Sequence, residues 1–398
     1  MENSEQTEKI GIEAEFDKSN LGDRRRTKRL LRIASSFSSH AGESIPQALG
    51  TERDREATYR FLNNSNVTMP EILEGHFLCT AQRARHYEEL LILHDTTELA
   101  FSTPREGLGP LRDSSSHYGF FAHVSLCVGL DKRTDPLGLL SVEAWTRTAT
   151  NKKMRKAAGV NEMQRWWNCA HKAQDRLGPE APTSIHVMDR EGDAFELFSR
   201  LHRADARFVI RACHDRNLAE DSVKLFEAGR NASIHAIRTV SLSPRKKAST
   251  PKAAKIYPAR RQRVAELSIR ATKVTLKRSR NLRGRDDLCK ESTLNLVYVQ
   301  ETNCSEGLVP VEWHLLTTEP IDTPEDVLKI VDIYRARWLI EELFKALKSG
   351  CGYQRLQLAN YVTLQRALGI FLPVAWNLLR LRYLSGISSD APASMMLD

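Results

Sequence analysis

At 398 residues, with 41% hydrophobic and 27% charged side chains, the chain has a globular composition and length for two or three domains. Its 59 Lys and Arg against 50 Asp and Glu leave a formal charge of +9 and a pI near 9.2, which favours a polyanionic partner. The polar, acidic opening MENSEQTEKIGIEAEF argues against a secretory signal. No apolar run approaches the ~20 residues of a membrane helix. Seven scattered cysteines without a CxxC argue against a disulfide framework or zinc finger, and read as the reduced thiols of a cytoplasmic protein.

Taken in chain order, residues 1–17 are polar and expected to fray. In LGDRRRTKRLLRIASSFSSHAG, Leu30, Leu31, Ile33, Ala34 and Phe37 form the apolar stripe of a helix that starts among Arg24, Arg25, Arg26, Lys28 and Arg29. A second helix is expected over ERDREATYRFLNN, then a turn at NSNVTMPE, giving a helical module over residues 1–72. Strand patterns follow at ELLILHD, which ends on Asp95, and at HVSLCVGL and GLLSVEAW. NEMQRWWNCAHKAQDRL reads as a helix, TSIHVMDRE as a buried strand closing on Asp189, DAFELFSRLHRA as a helix and RFVIRA as a strand. That order suits an α/β sheet covered on both faces over residues 73–211.

Residues 212–322 read as a β-rich insertion. Between Arg245 and Arg285 it carries fifteen Lys and Arg against the single acid Glu266. Thr323 is then an N-cap, with Pro324 at N1 and Glu325 and Asp326 in the first turn. The α/β domain resumes over 323–385 with one helix running to about Gly350 and a last helix, NYVTLQRALGIFLPVAWNLLRLRYL, bent at Pro373. The tail 386–398 shows no pattern. The apolar run ALGIFLPVAWNLL is expected to pack in a core.

On the helix before Gly350, Ile333, Ile340, Leu343, Phe344 and Leu347 gather on one face. Tyr334, Arg337, Glu341 and Lys348 share an arc of roughly 60° on the other, at about 100° per residue. Open α/β sheets place ligand sites at strand carboxyl ends, so Asp95 and Asp189 converge if their strands are neighbours, and a helix across the sheet would add Glu341. Three such carboxylates suit Mg2+ or Mn2+, and two ions about 3.5–4 Å apart would promote attack at a phosphodiester. Arg337 and Lys348 would then hold flanking phosphates. Taken singly, each feature has an ordinary reading. A strand-end Asp is usually a turn or cap residue, Lys/Arg runs are usually solvated surface, Trp313 would be core, and His94 and His186 are packed strand residues.

The spacing Y-x2-R-x3-E-x6-K resembles the YREK signature of the insertion-sequence-four family of bacterial DDE transposases, the Tn-five type. HDTTEL and MDREGDAFE resemble that family's two Asp blocks, LGDRRRTKRL and ATYRFLNNSNV its N-terminal DNA-binding domain, and RFVIRACHDR and EWHLLTTEP blocks in and after its β insertion. The resemblance runs from about residue 16 to 385. It implies an α/β, RNase H-like catalytic core interrupted by the β-rich insertion and preceded by a small all-α DNA-binding domain.

The resemblance further implies Asp95, Asp189 and Glu341 as catalytic, metal-binding residues holding two Mg2+ ions, for which Mn2+ would substitute. Tyr334, Arg337, Lys348 and Arg211 are implied as contacts to transposon-end DNA, with Trp313 receiving a flipped base. Arg25, Arg26, Arg29, Tyr59 and Arg60 are the matching contacts in the N-terminal module. The implied chemistry is cut-and-paste transposition on terminal inverted repeats and target DNA: nicking, hairpin formation and opening, and strand transfer, with no covalent protein–DNA intermediate. The implied setting is a bacterial cytoplasm, at the nucleoid when bound to DNA. Relatives of this type continue into a C-terminal dimerisation region that the 398 residues do not include. The homodimer required for synapsis would therefore form through another surface or only on DNA, or the chain is a shortened end-binding regulator of transposition. A third alternative is an RNase H-like nuclease with a different substrate.

Overall fold

The computed structural model describes residues 11–111, 117–131, 134–147, 162–179, 181–220, 223–242, 244, 259–282 and 284–385. Residues 1–10 of the polar start, 245–258 of the basic run and the tail 386–398 lie outside them. The chain divides into two compact units, Met1–Ser184 with Arg337–Asp398, and Ile185–Ala336.

The first unit opens with helices α1 (Ala14–Asp17), α2 (Arg24–Ser39), α3 (Ile45–Leu49), α4 (Glu52–Leu62) and α5 (Met69–Ala84). Strands β1 (Glu89–Phe101), β2 (Gly109–Pro110), β3 (Tyr118–Leu130) and β4 (Thr134–Trp145) follow, then α6 (Glu162–Leu177). Strand β5 (Thr183–Met188) leads into the second unit, which continues with α7 (Phe195–Arg203), β6 (Arg207–Arg211), α8 (Leu225–Asn231), β7 (Ile234–Leu242), β8 (Arg263–Lys277), β9 (Glu291–Glu301), β10 (Glu312–Thr317) and α9 (Pro324–Ala336). The chain then returns to the first unit with α10 (Trp338–Lys345), a π-helical turn at Ala346–Gly350 and α11 (Tyr361–Ser385).

Local signals set the N-terminal helix starts. Asp23 accepts from the Arg25 N–H at 2.8 Å to cap α2, and Thr51 accepts from the Asp54 N–H at 3.1 Å to cap α4. Met69-Pro70-Glu71, expected to be turn, instead opens α5: Thr68 and Glu71 form a reciprocal capping box, and Pro70 lies in the first turn, where its missing N–H costs no helical bond. Leu30, Ile33, Ala34 and Phe37 are buried as expected, and Leu31 is half-buried.

Helix α11 is the element these helices pack on. Phe37 stacks on Phe371 with ring centroids 4.7 Å apart. Arg366 is buried and donates to the carbonyls of Leu62 at 2.8 Å and Val67 at 2.6 Å, so its charge faces the carbonyl-rich C-terminal end of α4. The helix is 25 residues long and runs through Pro373. Its length and apolar character would allow it to cross a membrane, but 78% of its most apolar window is buried inside the protein, as in a core helix.

In the first unit β3 pairs antiparallel with β1 on one side and β4 on the other, and all but its end residues are buried. β1 is longer than expected and does not end at Asp95. It continues through Thr96, Thr97 and Leu99 to Phe101, because β3 supplies a partner for every residue from Leu90 to Phe101, and the β-branched and apolar residues suit the pairing. In the second unit the strands lie in the order β5-β6-β10-β9-β8-β7, with β5 and β6 parallel and the remaining pairs antiparallel.

The helix expected to run unbroken from Pro324 to Gly350 is interrupted. The helix ends at Ala336 and a new one starts at Trp338, Ile340 N–H bonds to Arg337 C=O at 3.2 Å, and the end widens into the π turn closed by Cys351 N–H on Ala346 C=O at 2.7 Å. A uniform 100° per residue therefore does not hold from Tyr334 to Lys348.

A buried polar network ties α1 and α5 to β4 and α11. Glu15 receives two bonds from Arg83, at 2.6 and 3.0 Å, and lies 2.5 Å from His76 Nδ1. His76 Nε2 accepts from the Leu139 N–H at 2.9 Å, so the ring proton sits on Nδ1 facing Glu15. Arg83 also donates to Leu137 C=O at 2.7 Å and lies over the Trp376 ring. Burial alone raises a carboxyl, but His76 and Arg83 outweigh it and hold Glu15 down at about 2. That folded value lies below the ordinary 4.5, so the stabilisation is present in full above about pH 4.5 and is lost as pH falls towards 2. Glu15→Gln should cost about 3–5 kcal/mol at pH 7 by leaving the Arg83 charge without its carboxylate. Urea unfolding from pH 7 to 3 should show a shallower acid limb for the variant, and an unchanged limb would dissociate Glu15 from acid stability.

Candidate active site

Asp95 sits in mid-β1 opposite Val124, and its two oxygens have separate partners. Oδ1 accepts from the Thr96 N–H at 2.8 Å, and Oδ2 accepts from Arg337 Nη1 at 3.0 Å. The other terminal nitrogen of Arg337, Nη2, donates to Glu341 Oε1, one helical turn along. One guanidinium thus joins two carboxylates from segments more than 240 positions apart. Its side chain is 14% exposed, and those of Asp95 and Glu341 are 15% and 36% exposed. The contact is therefore partly screened from water.

Lys348 lies in the π turn of the same unit. Burial lowers its pKa, while the charges of Glu98 and Asp95 pull it back up. Glu98, on β1, was not singled out from the sequence. The available signal was an acid only three residues beyond Asp95 in the same strand.

Asp189, Arg211, Trp313 and Tyr334 belong to the second unit. Asp189 follows β5 directly and caps a short 3-10 turn, accepting from the Glu191 N–H at 2.8 Å. Arg211 ends β6 and donates to Glu312 C=O at 3.0 Å. Trp313 on β10 and Tyr334 on α9 meet edge to face, with centroids 5.2 Å apart and planes at 67°. Tyr334 is 7% exposed.

In the N-terminal helices the candidates divide. The Arg25 side chain is 92% exposed and pairs with Asp23 at 3.0 Å. Arg60 is exposed and Tyr59 half-buried on α4. Arg26 is turned inward to Leu21 C=O at 2.9 Å, and Arg29 reaches Asp54 at 2.9 Å. The last two thus serve the fold of the module as it stands.

His94 and His186 are buried on their strands, His94 3.0 Å from the Ser125 hydroxyl and His186 lowered by burial to about 4. All seven cysteines are unpaired. Asp193, Cys213 and His214 bring potential ligand atoms within 4.8 Å of one another. The Asp193 carboxylate is already committed, however. It accepts from the N–H groups of Cys213 at 2.6 Å and His214 at 2.8 Å on one oxygen, and from Arg216 at 2.5 Å on the other. It reads as the anchor of the loop after β6, and within the block MDREGDAFE nothing distinguishes it from Asp189 except these partners.

Residues 11–67 match the transposase DNA-binding family, and residues 145–378, more than half of the chain, match the transposase DDE domain family. The chain therefore belongs to the transposase DDE domain family. It is a transposase with an RNase H-like α/β fold and an all-α N-terminal DNA-binding region, and DNA is its partner. DDE transposase domains typically use divalent metal ions. Asp189, Arg211, Trp313, Tyr334, Arg337, Glu341 and Lys348 fall within the DDE match, and Asp95 precedes it. Among solved structures the chain is similar to a piggyBac transposase in a cryo-EM synaptic complex with hairpin DNA, at 9% identity over 97% of this chain and 74% of that one, with a TM-score of 0.41.

Asp193→Ala would remove the carboxylate that the Arg216 charge and the N–H groups of Cys213 and His214 share, a loss of about 3–5 kcal/mol. Differential scanning calorimetry should show a clearly lowered Tm, and an unchanged Tm would remove the anchoring role.

Proposed function

We propose that Asp95, Asp189 and Glu341 form the catalytic triad of a cut-and-paste DNA transposase of the insertion-sequence-four type, with Tyr334, Arg337, Glu341 and Lys348 as its YREK set. The observation that carries this reading is the contact of Arg337 with both Asp95 and Glu341. It joins the residue outside the family match to two residues of the signature inside it.

The donor set is made of carboxylate oxygens, which fits Mg2+ or Mn2+ better than a metal preferring nitrogen or sulfur. When bound, such ions activate the attacking hydroxyl and stabilise the leaving oxygen at phosphorus. The chain's own residues orient the DNA. Arg337 offers a planar fork to a phosphate and Lys348 a point charge, and Arg211 holds end DNA. Trp313 offers a face to a base taken out of the stack, worth about 1–3 kcal/mol. In the N-terminal helices, Arg25, Tyr59 and Arg60 would meet the terminal inverted repeat, and Arg26 and Arg29 would join them after exchanging Leu21 and Asp54 for phosphates.

The reaction order would be hydrolysis to free a 3′-OH, attack of that hydroxyl on the opposite strand to give a hairpin, hydrolytic opening, and attack on target DNA. Two protomers would pair the ends, and Mn2+ would replace Mg2+. Asp95→Ala, Asp189→Ala and Glu341→Ala should each lower nicking of an end duplex by at least about a thousandfold, the scale of losing preorganised charge stabilisation. Gel-shift binding of the same duplex should be retained. Nicking at the unmodified rate in all three would sink the triad. Retained end binding with no cleavage by the unmodified protein, in either metal, would favour an end-binding regulator.

A further inference from the structure

Asp95 Oδ1 accepts from the Thr96 N–H, and Oδ2 is the oxygen that Arg337 holds. Glu341 meets the same guanidinium through Oε1. A divalent cation ligated by Asp95 Oδ2 and Glu341 Oε1 would have to share those oxygens with the guanidinium. It would also lie within a few ångströms of a fixed positive charge that cannot lose its proton. The two cations therefore compete for one pair of carboxylates. A phosphate is the other group for which a guanidinium fork is suited.

Resting on the triad reading above, we infer that Arg337 is a latch: it neutralises Asp95 and Glu341 in the free protein and leaves them when a phosphate of the DNA end draws it away. Cation binding and DNA-end binding are then coupled through one side chain, and by linkage each strengthens the other. Asp95 and Glu341 do not stand as an open pair of carboxylates before the end arrives, which restrains cleavage of other DNA.

The test is Mn2+ binding by the full chain without DNA, followed through the free-ion EPR signal. Arg337→Gln should bind Mn2+ about five- to tenfold more tightly than the unmodified protein, the scale of one partly buried ion pair removed as competitor. Arg337→Lys, which keeps a charge but not the fork, should fall between the two. Lys345→Gln removes an exposed cation of the same helix and should leave the affinity unchanged. Unchanged or weaker binding by both Arg337 variants overturns the latch, and so does an equal gain from Lys345→Gln, which would mark general electrostatics. Asp95→Asn separates the two levels. Loss of Mn2+ binding there supports the site whatever Arg337 does, whereas unaltered binding overturns the site and the latch with it.

Discussion

The first unit depends on bringing like charges from distant segments together and holding them there. Asp95 comes from a strand in the first quarter of the chain and Glu341 from a helix near its end, and two partly buried carboxylates repel. Arg337 resolves this locally, because a planar fork with two terminal nitrogens can satisfy two separated oxygens where a Lys would favour one. The remainder of the unit supplies rigid supports. β1 is fixed along its length by β3, and α10 is fixed by Ile340, Leu343 and Phe344, all buried. Apolar burial thus pins the helix, and the polar face inherits its position.

The same division recurs where the N-terminal helices meet α11. Apolar contacts such as Phe37 on Phe371 supply area, but area alone leaves the rotation of one helix on another weakly defined. Arg366 on the carbonyls of Leu62 and Val67, and the Glu15–His76–Arg83 network with Leu137 and Leu139, add directional bonds that only one arrangement satisfies. Residues matched to the DNA-binding family are in this way bonded to helix α11 directly and to strand β4 through His76 and Arg83 of α5.

Much of this was legible in the sequence, because it depends on periodicity and capping, which are local. The stripe of α2, the buried strand stretches leading to Asp95 and Asp189, and the Thr323-Pro324 helix start needed only nearest neighbours along the chain. The errors arose where a distant partner decided the outcome. β1 continues past Asp95 because β3 is there to pair with it. Met69-Pro70-Glu71 has the composition of a turn, and its role as a helix start rests on the Thr68–Glu71 exchange. The face shared by Arg337, Glu341 and Lys348 was visible as spacing, whereas the break after Ala336 and the π turn are features of packing that a uniform wheel cannot represent. Glu98 and Asp193 were missed because an acid's neighbours in space, not in sequence, distinguish a site from a surface.

The basic run shows that a surplus of positive charge does not by itself mark a DNA contact. Within its described part, Arg263 is bonded to Glu301, Arg270 to the carbonyls at the end of α8, Arg278 to those of Arg285 and Leu288, and Arg285 to Glu196 and Asp287. These arginines hold strands and turns together, and a phosphate would have to compete with partners already in place. A surplus of positive charge therefore measures attraction at a distance, while the positions of contact are set by the cations a fold leaves able to exchange partners. Arg25 and Arg60 meet that condition by exposure. In the proposed site Arg337 would meet it differently, because the carboxylates it holds are the groups through which a divalent cation would take its place.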